Sequence, residues 1–182
     1  MKSLSELSVE RGAKSVGSFR WWQAVLIFVI ANVASVLPAG YNGEEAFYNN
    51  FTQPSIAPPD WLFAPAWLFI NVTSLVALYR IANLPKETPG RRTFIVLEGV
   101  GWVLFAIFSV LYFGMKSPIL GAIDTVLGLV VALMSQWVSY LIDKRAALNI
   151  LPRVLWLILA AYVSVYVALA NRDLFLGVGP FM

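Results

Sequence analysis

The chain has 182 residues, of which 59% are hydrophobic and only 13% are charged, about half the charged share of an ordinary soluble domain. The charged residues are clumped, which leaves five long stretches without any: 21–43, 61–79, 99–115, 125–142 and 154–171. Because a helix rises about 1.5 Å per residue, each stretch can cross roughly 30 Å of hydrocarbon. This pattern excludes a soluble globule, a disordered chain and a nucleic-acid-binding domain.

Two residue types are absent, and their absence limits the chemistry. The chain contains no Cys and no His, so it offers no thiolate nucleophile, no imidazole base and none of the usual Cys or His ligands of zinc and haem. An enzyme would have to work with Asp, Glu, Tyr, Ser or Lys alone. We therefore predict no catalytic residue, no metal site and no required cofactor.

The basic residues predict the topology. If the chain crosses the membrane five times, 11 of its 13 Lys and Arg residues fall on one side, and only Lys116 and Arg172 fall on the other. The positive-inside rule assigns the basic side to the cytoplasm. The sequence thus predicts an all-α membrane protein, a bundle of five transmembrane helices with the N-terminus inside and the C-terminus outside. A polar cytoplasmic tail, 1–19, precedes a single transmembrane domain, 20–182, with spans at about 20–38, 61–82, 94–115, 119–142 and 152–171.

The first span is longer than the apolar region of a signal peptide and lacks a good small-residue cleavage pattern, so we expect it to be retained. It leads into the longest loop, 39–60, which we predict to act as a lid. The remaining loops are shorter, and residues 143–153 are expected to form the last inside turn.

The most specific motif is QPSIAPPDWLFAPAWLF over residues 53–69, where the lid loop enters the second span. Prolines are tolerated before and at the start of a helix, and Asp60 is placed to cap it. Pro65 can bend the first turns. An anchor at the membrane interface accounts for Trp61 but not for Trp67, which lies more than a turn deeper.

This motif resembles that of the translocator protein family, also called tryptophan-rich sensory proteins or peripheral-type benzodiazepine receptors. Its matching residues are Pro54, Ser55, Ala57, Pro58, Pro59, Trp61, Phe63, Pro65 and Trp67. Five spans, a long first loop, and Pro152 with Trp156 extend the resemblance over nearly the whole chain. It implies a five-helix membrane bundle, often a homodimer, that binds porphyrins, sterols and synthetic ligands in a pocket capped by the first loop. The chain departs from the family pattern at Ile56, Asn71, Phe105, Phe108, Ser164 and Arg153, the last of which stands where Tyr is common.

Helical spacing indicates which faces could line such a pocket. On the second span Ala64, Trp67 and Asn71 share one face, and polar groups there should point inward, away from lipid. The fifth span has a similar face made of Trp156, Ala160, Val163 and Ser164. Ordinary bundle packing would produce the same pattern. The family resemblance favours a ligand pocket for Trp67 and Trp156, with Asn71 and Ser164 available for hydrogen bonds.

The third and fourth spans each carry one acidic residue. The predicted topology places Glu98 and Asp124 in opposite leaflets, which argues against a catalytic carboxylate pair. We expect Glu98 to meet Arg91 or Arg92, and Asp124 to reach water or cap a neighbouring helix. Mostly small residues of the fourth span form one face, which could pack inside the bundle or against a second copy, and packing inside the bundle is expected: Gly121, Asp124, Thr125, Gly128, Ala132, Ser135 and Ser139.

The sequence as a whole predicts a receptor-like or transporter-like membrane protein that binds a hydrophobic, planar molecule such as a tetrapyrrole, sterol or isoprenoid. Its expected partners are the lipid bilayer, that small molecule and a second copy of the chain, and no nucleic acid. Two alternatives remain open: a structural or regulatory subunit of a membrane complex, and a membrane enzyme that degrades a tetrapyrrole.

Overall fold

The computed structural model describes residues 18–41 and 50–182, with the backbone alone at 38–41. In this part of the chain the regular secondary structure is helical, with no strand. The five helices are α1 (Trp21–Tyr41), α2 (Phe63–Ala82), α3 (Arg91–Ser109), α4 (Pro118–Ile142) and α5 (Lys144–Ala170). A 3₁₀ turn, Asp60–Leu62, precedes α2, and a π-helical turn, Val110–Gly114, continues α3.

Helix length and composition fit a membrane protein. Four segments in the described ranges are long and apolar enough to cross a bilayer: Asp60–Ala82, Arg91–Gly114, Pro118–Ile142 and Lys144–Ala170. The apolar stretch of α1 with described side chains, Trp21–Leu37, is shorter. Large apolar side chains such as Trp137, Leu141 and Leu155 lie exposed on the outside of the bundle, as expected where lipid replaces water as the solvent.

The helices form a ring, and α2 also contacts α3 across it. The order around it is α1, α2, α5, α4 and α3, and α3 returns to α1. Helices α4 and α5 form the most extensive pair. Ser135 and Ser139 of α4 are fully buried, and Gly121 packs directly on the ring of Tyr112. The prediction that the small-residue face of the fourth span packs inside the bundle is therefore confirmed.

Polar contacts tie the helix ends together in two separate groups. At one end, Arg80 in the last turn of α2 forms an ion pair with Asp143, with 2.7 Å between Arg80 Nη2 and Asp143 Oδ2. At the other, the carboxylate of Asp173 accepts hydrogen bonds from the Ser117 hydroxyl at 2.6 Å and from the Ile119 N–H at 3.0 Å. A chain whose successive helices run in opposite directions requires this grouping of helix ends. Which group faces the cytoplasm stays a prediction from the charges.

The predicted inside turn at residues 143–153 is wrong, because α5 begins at Lys144 and contains Pro152. Asp143 alone separates α4 from α5. Its carboxylate accepts hydrogen bonds from the N–H groups of Arg145 and Ala146, which satisfies donors at the start of α5 and lets a second helix begin at once. A proline inside a helix removes one backbone bond but does not prevent the helix when tertiary packing supports it.

The start of the second span also differs from the prediction in detail. Asp60 opens the 3₁₀ turn, and its Oδ1 accepts from the Trp61 N–H at 2.7 Å. The α-helix proper follows from Phe63, with no side-chain cap. Asp60 is therefore the first residue of the short turn and does not cap α2. Pro65 lies in the first turn of α2, where few hydrogen bonds are lost.

Candidate ligand-binding cavity

A cavity of about 840 Å³ lies inside the ring of helices. All five helices contribute to its wall, and the 3₁₀ turn and the residues just before it form one edge. Cavities of this size can hold most of a drug-sized molecule. The wall is mostly apolar and aromatic, with a small number of polar side chains.

The residues predicted to bind a ligand all line this one cavity: Ala64, Trp67 and Asn71 from α2, and Trp156, Ala160, Val163 and Ser164 from α5. Helices α2 and α5 pack together, so the two faces derived from helical spacing converge on one space. This places the predicted residues together. Their contact with a ligand remains a prediction.

The entrance motif divides between the wall of the cavity and its surroundings. Pro58, Trp61, Phe63 and Pro65 line the cavity. Pro54, Ala57 and Pro59 are not among the lining residues; the Ala57 N–H donates to the Pro54 carbonyl at 2.9 Å and forms a turn in the approach to the helix. The motif thus builds the edge of the cavity and the segment that leads to it.

Aromatic pairs form the walls. The rings of Trp67 and Phe105 lie 5.0 Å apart, and Phe63 meets Trp156 edge to face at 5.6 Å. On the α3 side the rings of Phe108 and Tyr112 are stacked, with centroids 5.3 Å apart and planes 12° from parallel. These separations are those of favourable aromatic pairs. A flat, apolar molecule would meet ring surfaces on more than one side.

Two polar side chains predicted for hydrogen bonding already have protein partners. The Asn71 amide is buried and donates to Asn32 Oδ1 of α1 at 3.3 Å. The Ser164 hydroxyl donates to Thr125 of α4 at 3.4 Å. Both distances are long for hydrogen bonds of these types, so a ligand group could replace either partner at small cost.

The expected pairing of Glu98 with Arg91 or Arg92 is wrong. Glu98 forms a two-point ion pair with Arg153, 3.0 Å and 2.5 Å between nitrogen and oxygen, while Arg91 donates to the Ala82 carbonyl at 2.6 Å. The reason is the early start of α5, which carries Arg153 into the bundle beside α3. Both side chains of the pair are buried, and Arg153 reaches the cavity wall.

Comparison with known proteins gives the family. The profile of the TspO/MBR family matches residues 24–169, which covers α1 to α5 almost completely. The chain belongs to this family.

Similar proteins of the family come from distant organisms. The tryptophan-rich protein TspO of Archaeoglobus fulgidus is 26% identical over 156 residues, covering 80% of this chain and 98% of the relative. Its namesake from Chlorobaculum tepidum is 28% identical over 65% of this chain and 75% of the relative. Protein CrtK of Rhodobacter capsulatus is 24% identical over 65% of this chain and 74% of the relative. With four spanning segments in its described ranges, this TspO/MBR family member is an integral, multi-pass membrane protein.

The TspO/MBR chain carries cavity residues that periodicity did not reveal. Helix α1 contributes Asn32 and Ser35, and α3 contributes Phe105, Phe108 and Tyr112. Helix α1 is apolar on most faces, and the aromatic residues of α3 could equally have faced lipid. Phe105 and Phe108 were noted only as departures from the family pattern. A signal existed in their spacing with Tyr112, which puts three rings on one side of a helix.

The end of the lid loop is fastened to the end of α5. The Asn171 side chain accepts from the Thr52 N–H at 2.8 Å and donates to the Thr52 carbonyl at 2.9 Å. The neighbouring Phe51 ring meets Tyr112 of the cavity wall edge to face at 6.2 Å. The rest of the predicted lid, 42–49, lies outside the described residues. Among the residues described, no group of three or more His, Cys, Asp or Glu side chains could hold a metal ion.

Proposed function

We propose that this TspO/MBR family protein binds a hydrophobic, planar molecule, such as a tetrapyrrole, sterol or isoprenoid, inside the helix bundle. The observation that carries the proposal is the cavity itself, which brings Trp67 and Trp156 to one apolar space of about 840 Å³. Trp67 and Trp156 would wall the ligand, and Asn71 would orient it. The Pro58 segment would hold the edge of the lid in register with α2.

A membrane role in sensing or transport follows from such binding. Relatives carry the names tryptophan-rich sensory protein and tryptophan-rich protein TspO, which supports a binding role over a structural one. We further propose five crossings with a cytoplasmic N-terminus, and a homodimer as the working form. Because the small residues of α4 pack inside the bundle, we place the dimer interface on an outer face of the helices.

Trp emission provides the test, because the chain has seven Trp residues. Protoporphyrin added to the purified protein in detergent should quench this emission saturably. A Trp67→Phe and Trp156→Phe double variant should bind at least about fivefold more weakly, since aromatic contacts of this kind are each worth about 0.5–1.5 kcal/mol.

The matched control is a Trp21→Phe and Trp137→Phe double variant, which removes two exposed Trp side chains from the outside of the bundle. Its affinity should equal that of the wild type. Equal affinity in both double variants would refute the site. A stable heteromeric complex without any ligand response would favour a structural subunit, and a new pigment formed under light would favour degradation.

A further inference from the structure

A second, smaller cavity lies between α1, α2 and α3, at the end of the bundle where a loop joins α2 to α3. We call it the side cavity. It has a volume of about 430 Å³, and its wall extends from Lys86 and Arg91 to Trp102. Because a helix rises about 1.5 Å per residue, Arg91 and Trp102 lie about 16 Å apart along α3. The side cavity therefore extends from the end of the bundle well into the hydrocarbon layer.

The end of the side cavity near the loop is basic. Its charged lining residues are Lys86 and Arg91, and none of the described residues that line it is acidic. Neither of the two belongs to an ion pair among the described residues. The Arg91 guanidinium donates from Nη2 to the Ala82 carbonyl at 2.6 Å, and its Nε has no partner in that part of the chain. This end of the side cavity thus carries positive charge that no described carboxylate balances.

The rest of the side cavity is apolar. Ile27, Leu78, Ile95 and Trp102 line it. Gly99 lies between the basic end and Trp102 on α3, and a Cβ built on it would meet nothing within 4 Å. Gly99 is also exposed and belongs to a segment apolar enough to cross a bilayer. The side cavity is therefore open to lipid beside Gly99.

We propose that the side cavity binds an anionic phospholipid, with the phosphate at Lys86 and Arg91 and an acyl chain beside Gly99 that reaches Trp102. Basic pockets between transmembrane helices near the membrane surface bind anionic head groups, and contacts from Lys and Arg to phosphate are charge-assisted. The apolar wall would remove an acyl chain from competing surroundings without exposing any polar group of the chain. A small soluble anion would use the basic end alone.

This site is separate from the cavity inside the ring and takes a different class of molecule. The two share Trp102, which lines both. The lipid site does not depend on the ligand proposed for the cavity inside the ring, and either proposal can fail without the other.

Trp102 can report occupancy of the side cavity, because only 9% of it is exposed and bromine atoms on an acyl chain quench Trp emission at contact. The full chain in nanodiscs of unlabelled phosphatidylcholine receives increasing fractions of phosphatidylglycerol or phosphatidylcholine with identical brominated chains. Half-maximal quenching should need at least about fivefold less of the anionic lipid, the effect of one basic residue near the membrane surface. This difference should disappear in Trp102→Phe, although exposed Trp residues are still quenched by both lipids.

Substitutions separate the side cavity from general attraction to a basic surface. Lys86→Gln should raise the fraction of anionic lipid needed for half-maximal quenching about fivefold, and Arg91→Gln should act in the same direction. Arg92→Gln is the matched control, because Arg92 is the next residue, is exposed and does not line the side cavity. It should leave the lipid preference unchanged. Gly99→Leu should abolish the preference by filling the space for the acyl chain, with both basic residues intact.

Several results would overturn the proposal, and all of them leave the function proposed for the cavity inside the ring standing. One is equal quenching of the wild type by the two brominated lipids. Another is a preference that survives Lys86→Gln and Gly99→Leu, or one that Arg92→Gln lowers as much as Lys86→Gln does. Complete reversal of the quenching by inorganic phosphate would show a site for a soluble anion, in which the acyl chain contributes nothing.

Discussion

At the scale of single residues, the ion pair between Glu98 and Arg153 is the contact least accessible to sequence reasoning. Each residue looks like part of a helix end: Glu98 follows two arginines by a turn or two, and Arg153 sits next to Pro152. In the folded chain both are buried and joined across α3 and α5. The pair fixes the spacing of two helices that wall the cavity.

Breaking this pair from one side should be strongly destabilising. Arg153→Met leaves the Glu98 carboxylate buried without a partner, which typically costs about 3–5 kcal/mol. A double variant, Glu98→Leu with Arg153→Met, removes both charges and should recover most of that loss. Thermal unfolding in detergent, followed by Trp emission, measures the stability of the single and the double variant. A double variant as unstable as the single one would show that the pair itself, and not the orphaned charge, is what matters.

At the scale of helices, the fold depends on close approach where small residues meet large rings. Gly121 of α4 is the tightest case, since a Cβ built on it would lie 2.5 Å from Cδ2 of Tyr112. Tyr112 cannot easily move, because it is buried and stacked on Phe108. The absence of a side chain at position 121 therefore lets α4 and the π-helical end of α3 wall the cavity together.

Gly121→Ala should destabilise the protein by about 1–3 kcal/mol, the usual cost of overpacking a core. Gly99→Ala is the matched control, because a Cβ there meets nothing within 4 Å and Ala favours helix by about 1 kcal/mol. Thermal midpoints of the two variants should therefore move in opposite directions. A neutral Gly121→Ala would mean that Tyr112 is free to shift.

The junction of α4 and α5 should make the protein sensitive to acid. Partial burial raises the pKa of Asp143, but hydrogen bonds from Arg80 and from the N–H groups of Arg145 and Ala146, with the Arg80 charge, outweigh it and hold the pKa below its ordinary 3.8. A group with a lowered folded-state pKa stabilises the fold above its unfolded pKa, and that contribution is lost as pH falls through the folded value. Thermal stability should thus fall below about pH 4.

Asp143→Asn should be less stable than the wild type at pH 7 and should lose less on acidification. Measuring thermal midpoints of both proteins from pH 7 to pH 3 tests this. Asp173 titrates in the same direction: burial raises its pKa, while hydrogen bonds from the Ser117 hydroxyl and from backbone N–H groups lower it further than burial raises it. The wild-type decline should consequently persist in part in the variant, and parallel curves would contradict the assignment to Asp143.

At the scale of the whole molecule, the helices form a ring around the cavity, and the distribution of basic residues predicts the orientation of the bundle in the membrane. Residues near Arg80 and Asp143 meet at one end, and Thr52, Asn171 and Asp173 gather at the other. Arg153 is buried, so it does not count among the exposed basic residues of the first end. The remaining excess of Lys and Arg is still large, and the prediction of a cytoplasmic N-terminus does not depend on Arg153.

Single cysteines can report the orientation, because the chain has no Cys of its own. Lys86→Cys, between α2 and α3, should react with a membrane-impermeant maleimide only after cells are opened. Lys116→Cys, between α3 and α4, should react in intact cells. The reverse pattern would invert the topology, and labelling of both positions from one side would contradict the alternation of the helices.

The sequence by itself determined the class of the protein, the number of helices, the family motif and seven of the cavity residues. Those features depend on composition and on spacing along one helix, which are local properties. Trp67 and Asn71 could be placed on one face because both lie on a single helix with polar and small neighbours. Helix α1 is apolar on most faces and so gives no preferred direction. The aromatic residues of α3 could equally have faced lipid, so their spacing alone did not place them.

Only the tertiary structure decided what crosses between helices. It carried Arg153 inward to Glu98, because a capped helix starts at Lys144 rather than eight residues later. It also brought Gly121 against the ring of Tyr112, and this contact sets the register of α4 against α3. Register and charge pairing depend on the packing of several helices at once, and no single segment of the sequence encodes them.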